Sequence, residues 1–151
     1  MKKLFVVVIF YFTVSNVYGQ LRQTFGDSIK AATAASITPK ANLRCTQYAD
    51  ALKLFMTTNA SKYKGMTWKQ VKVTNQKGSA FIGHDDYPSA SISDNGAHVF
   101  TIIDGYVFDN HHPNGGITEA DYKKKLFSPD CITTKSTDPK YYPCGFNTGA
   151  Y

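Results

Sequence analysis

Hydrophobic positions along this chain change their period repeatedly, and each change marks an element. Leu4 to Val14 is an unbroken apolar run, preceded by Met1-Lys2-Lys3 and followed by Ser15-Asn16. A basic start, an apolar stretch of about a dozen residues and small residues behind it form the pattern of a secretory signal peptide. Val17-Tyr18-Gly19 then supplies a cleavage site, so residues 1–19 are expected to be removed and the chain secreted. The run is shorter than the roughly 20 residues that cross a bilayer, so no membrane span is expected after signal removal. Gln20 to Thr38 reads as a helix with a weak apolar face of Ile29, Ala32 and Ala35, ended by Pro39. From Asn42 the helical period sharpens. Tyr48, Leu52, Phe55 and Met56 fall on one side, with Gln47, Asp50 and Lys53 toward the other. Asn42 is the expected N-cap, which puts Cys45 in the first turn.

Beyond Lys64-Gly65 the period drops to two. Val71 and Val73 alternate with Gln70, Lys72 and Thr74; Asn75-Gln76-Lys77-Gly78 is a turn, and Ala80-Phe81-Ile82 a short apolar strand. His84-Asp85-Asp86-Tyr87-Pro88 reads as a solvated loop, as do His111-His112. Ser89–Ile92 follows the first of these loops, and Asp94-Asn95-Gly96 is a turn. Asp104-Gly105 between Ala97–Ile103 and Tyr106–Asn110 predicts a two-residue type I′ hairpin. Thr118 caps a last helix, Glu119–Leu126, stopped at Ser128-Pro129. One amphipathic helix laid on an antiparallel sheet buries both apolar faces, so the expected class is α+β.

Composition narrows the picture modestly. With 42% hydrophobic and 14% aromatic residues, a packed domain is expected rather than disorder. The formal charge of +6 is scattered, and removal of Lys2 and Lys3 lowers it to about +4. Solvated faces account for it, and no nucleic-acid partner is expected. Of the three cysteines, Cys131 and Cys144 lie in a turn-rich tail. Their pairing closes a loop of about 14 residues, worth about 3 kcal/mol in chain-entropy terms. Cys45 is then an unpaired thiol, although a bridge from Cys45 to either tail cysteine is the rival arrangement.

The hairpin carries candidate chemistry. With Ile103 facing Tyr106, His98, Phe100 and Ile102 share a face with Val107, Asp109 and His111. Asp109 then lies diagonally across from His98, within reach of its ring, while Asn110 faces away. A first-turn thiol feels the positive end of the helix dipole, and free backbone N–H groups there suit an oxyanion. Cys45 as nucleophile, His98 as proton carrier and Asp109 as orienting acid make a set that needs no cofactor. Asn42 and Gln47 are the candidate oxyanion side chains. Plainer readings compete: a helical Cys is often core, and an Asp at a strand end often closes an Asx-turn.

Cys45-Thr46-Gln47-Tyr48-Ala49, Gly96-Ala97-His98, Phe108-Asp109-Asn110 and Pro113-Asn114-Gly115, with the Glu119–Leu126 segment, resemble the papain fold toxin 2 family of bacterial polymorphic toxins. The resemblance covers residues 40–127. It implies a papain-like core within a domain at 20–127, followed by a Cys-containing tail at 128–151. It also implies effector chemistry on a peptide or amide bond: a peptidase, deamidase or related acyl-transfer enzyme with Cys45, His98 and Asp109 as its site. A protein or peptide substrate and an immunity protein are the implied partners. Two other functions fit parts of the chain. One is a metal-dependent nuclease using the stretch from Asp109 to Asn114, joined by His84-Asp85-Asp86. The other is a non-catalytic exported binding module with contacts through Tyr141-Tyr142.

Overall fold

A computed structural model describes residues 25–34, 44–87, 91–131 and 145–151. The signal segment 1–19, Asn42, Tyr141, Tyr142 and Cys144 lie outside the described residues, and so does the Cys131–Cys144 pairing. Helix α1 occupies 25–34 and α2 spans Cys45–Thr58. Strands β1 Trp68–Asn75, β2 Ile82–His84, β3 Ser91–Ser93, β4 Ala97–Ile103, β5 Tyr106–Phe108 and β6 Ile117–Thr118 follow. Helix α3 Glu119–Lys125, strand β7 Leu126–Phe127, a 3-10 turn Pro129–Cys131 and strand β8 Phe146–Ala150 complete the order. No helix among the described residues is long and apolar enough to cross a membrane.

The strands form two antiparallel sheets. The larger has the order β6-β5-β4-β1-β8, and the smaller β3-β2-β7. Thr101 pairs with Phe108, Ile102 with Val107 and Ile103 with Tyr106, the register read from the Asp-Gly turn. Asp104 and Gly105 have φ of 47° and 83°, the left-handed pair that a type I′ turn requires. Alternation then divides β4 between two cores. Phe100 and Ile102 join Val73, Val107, Tyr122 and Leu126 on one face. Ile103 meets Tyr48, Leu52 and Met56 of α2, with Ile29 of α1, on the other. Leu52 is fully buried there and contributes about 2 kcal/mol. The Gln70 side chain donates to the Ala49 carbonyl at 2.6 Å, tying α2 to β1.

Several expectations are corrected. The strand expected at Ala80–Ile82 lies at Ile82–His84, leaving Phe81 exposed, and His84 is completely buried rather than solvated. Its strand is flanked on both sides, by β3 and β7, so it is the middle of the small sheet. Strand β5 stops at Phe108, which puts Asp109 in the following turn, and His111 is buried rather than solvated. Leu126 leaves the helix to pair with His84. The end of the expected tail supplies β8, a strand on the edge of β1.

Candidate active site

Cys45 opens α2 as a free, buried cysteine, so the rival bridge from Cys45 to the tail does not form. The first helical hydrogen bond is from Tyr48 N to Arg44 O at 2.9 Å. The helix start carries no side-chain cap from Arg44 and no acidic residue in its first turn. Its early N–H groups therefore keep their positive potential for whatever stands at the sulfur. Cys45 packs with Ala49 against Val99. Val99 and His98 point to opposite faces of β4, so contact with one would ordinarily exclude the other. The short β5 removes that conflict. Its pairing with β4 ends at Thr101, leaving the half of β4 that carries His98 open on that side. The sulfur sits at this open edge, where the Val99 backbone N–H reaches it and His98 lies close by.

The ring of His98 is anchored from the other direction. Its Nε2 donates to Asp109 Oδ2 at 2.9 Å, with both side chains fully buried. An ionised carboxylate only accepts, so the proton belongs on Nε2 and the nitrogen left toward Cys45 is Nδ1. That atom has no other partner, and the thiol acts on the ring both as a hydrogen-bond partner and through its charge. Asp109 is held by four further donors. Tyr122 Oη donates to Oδ2 at 3.0 Å. The backbone N–H groups of His111 and His112 donate to Oδ1 at 2.9 and 2.5 Å, and His112 Nδ1 at 3.1 Å. One carboxylate thus makes the Asx-turn contacts with His111 and His112 and also holds the His98 ring.

These contacts set the ionisation of the group. Burial raises the Cys45 thiol, but the His98 side chain and its charge outweigh that, helped by Val99 N–H and Thr46, and hold it below its ordinary 9.0. Burial lowers His98, yet Asp109 and Cys45 together raise it to about 9. Burial opposes ionisation of Asp109 as well. Hydrogen bonds from His112 and His98 nevertheless hold its carboxyl well below the usual range. Lowering the thiol while raising the imidazole closes the ordinary gap between them, which favours a thiolate–imidazolium pair.

A family model for Papain fold toxin 2 matches residues 26–127, about two thirds of the chain. The chain belongs to the papain fold toxin 2 family. Searches of curated proteins and of solved structures find no match. The α+β arrangement described above, with a helix opened by Cys45 against an antiparallel sheet, is that of a papain-fold toxin domain.

Not every residue singled out from the sequence reaches the site of this papain-fold toxin. Gln47 is exposed and accepts from Arg44 Nη1. Two positions beyond Cys45 on a helix, it faces elsewhere. The Val99 backbone N–H and the Thr46 side chain are the donors that reach the sulfur beside His98. Conversely, Tyr122 and His112 hold Asp109 yet were not singled out for it. Tyr122 shares a helical spacing of four with Leu126, so its inward face was visible but its hydroxyl partner was not. His112 lies in a stretch that reads as a solvated loop, whereas the turn at Asp109 folds its ring back onto that carboxylate. His112 Nε2 then reaches Asp86 Oδ2 at 3.5 Å, beside the ring of buried His84.

Proposed function

We propose that this chain is a secreted papain-like cysteine hydrolase acting on a peptide or other amide bond as a toxin. Cys45 is the nucleophile, His98 the general base and then acid, and Asp109 the group that orients His98. The observation that carries this reading is the buried 2.9 Å bond between His98 and Asp109, with a free thiol at a helix start on the ring's other side. The Cys45 sulfur attacks the substrate carbonyl carbon while its proton rests on His98. The carbonyl oxygen takes the displaced electron pair and lies against the first-turn N–H groups. The amine leaves with the proton from His98, and a thioester remains on Cys45. Water then attacks the thioester with His98 taking its proton, and the proton returns to the sulfur as the acid departs. Cys45 retains 6% exposure whereas His98 and Asp109 have none, so substrate meets the sulfur first.

Secretion through residues 1–19 belongs to the same proposal, with a protein or peptide target outside the producing cell and an immunity protein guarding the producer. Toxicity is the test. Cys45→Ala is expected to abolish killing of target cells while leaving the circular-dichroism spectrum unchanged; undiminished killing by the folded variant would end the proposal. Alkylation gives an independent readout. The native thiol is expected to react with iodoacetamide with a pH midpoint below 9.0. In His98→Ala that midpoint rises, because burial then opposes the thiolate without the imidazole to offset it. A thiol that reacts only after unfolding would favour the non-catalytic binding module.

A further inference from the structure

We propose that His84, Asp86 and His112 form a binding site for a divalent transition ion, with zinc the best chemical fit. One donor atom from each residue lies within 4.8 Å of the other two. His112 Nε2 is 3.5 Å from Asp86 Oδ2, and His84 Nδ1 is 3.8 Å from the same oxygen. A tetrahedral zinc ion with bonds of about 2.0–2.1 Å holds its ligand atoms about 3.4 Å apart. Small side-chain rotations therefore close this triangle around an ion. Two imidazoles and one carboxylate also match the softness of zinc and fall one ligand short of a closed tetrahedron.

Three surrounding features organise the triangle. His112 donates from Nδ1 to Asp109, which orients the ring so that Nε2 faces Asp86 Oδ2 at 3.5 Å, where an ion would take the place of the bridging proton. This carboxylate–imidazole–ion arrangement is a general device for orienting a metal ligand. His84 is fully buried, and its Nδ1, the ring nitrogen that faces Asp86 Oδ2, accepts a 3.2 Å contact from the Asp86 backbone N–H that an ion would displace. Asp86 and His112 also border a cavity of about 380 Å³ shared with Thr118 and Asp121, which supplies an entry path and room for a water in the fourth position. Lys125 pairs with Asp86 through Oδ1 at 2.7 Å, so Oδ2 remains for the ion. The site does not use the thiol and stands even if Cys45 is inert, although His112 shares Asp109 with His98.

Calorimetric titration of the full chain with zinc chloride, and cobalt(II) absorption spectroscopy, test it. One ion per chain is expected, with the visible bands of four-coordinate cobalt. Asp86→Asn alters a half-exposed surface side chain and is expected to weaken zinc binding by about tenfold or more. Cys45→Ser is expected to leave the affinity unchanged. Three results would overturn the site: no binding at micromolar zinc, binding unaffected by Asp86→Asn, or binding lost in Cys45→Ser, which would put the ion on the thiol.

Discussion

The two oxygens of Asp109 serve different surroundings. Oδ2 receives the His98 ring and the Tyr122 hydroxyl, and both of those residues are fully buried. Oδ1 receives two backbone N–H groups and the His112 ring, which is 12% exposed and leads outward to Asp86 at 39%. The dry side is where a charge is strongly felt and little able to relax. The wetter side is built by a turn and opens on a cavity. One buried carboxylate thus holds two imidazoles in different surroundings, and its own charge is tolerated because both sides supply donors.

Removing the carboxylate should damage both sides at once. Asp109→Ala leaves five donors without their acceptor, two of them on imidazoles, and is expected to destabilise the fold by about 3–5 kcal/mol. Urea unfolding measures this, and a loss below about 1 kcal/mol would mean that water replaces the carboxylate at little cost.

The turn that builds the wetter side can be stressed alone. Gly115 has φ of +60°, and a Cβ there would lie 2.0 Å from the ring of Phe108, a buried core residue. Gly115→Ala is expected to cost about 2 kcal/mol, read as a lowered thermal midpoint. A Cβ on Gly83 of the small sheet would lie 2.2 Å from the Phe127 ring, but its φ is not in the left-handed region. Phe127 is only half-buried and can swing outward, so Gly83→Ala should cost less. Equal losses would show that the small sheet is packed as rigidly as the turn.

That contrast also explains what could be read in advance. The hairpin register was legible because Asp104-Gly105 dictates a turn and the flanking strands are β-branched and aromatic. The proximity of Asp109 to His98 followed from it. The helix face carrying Tyr48, Leu52 and Met56 was legible by period. The small sheet was not, because strands of two or three residues are too short to display alternation. Its members also come from positions as far apart as Ile82, Ile92 and Leu126. Burial of His84 depends on that long-range pairing and on nothing local. Strand β8 uses Asn147, Thr148 and Gly149, of which Asn and Gly are weak strand formers, and is held by the edge of β1. The meeting of Cys45 with His98 was anticipated without its cause, the early end of β5.

The finest separation of the two sides comes from Tyr122→Phe. The ring remains to fill the core with Phe100 and Leu126, while the donor to Oδ2 is lost. A hydrogen bond to a buried charge is worth about 1.5–3 kcal/mol, and four donors remain, so the low end of that range is expected in urea unfolding. The effect on the thiol pair has a definite sign. Tyr122 and His98 share Oδ2, and removing the hydroxyl leaves more of the negative charge to the imidazolium. His98 should therefore hold its proton to a higher pH than the about 9 of the native chain. The alkaline limb of a pH–activity profile moves up, although the fold becomes less stable. If that limb moves down instead, Tyr122 is positioning Asp109 for His98 rather than competing with it, and the dry side depends on geometry more than on charge.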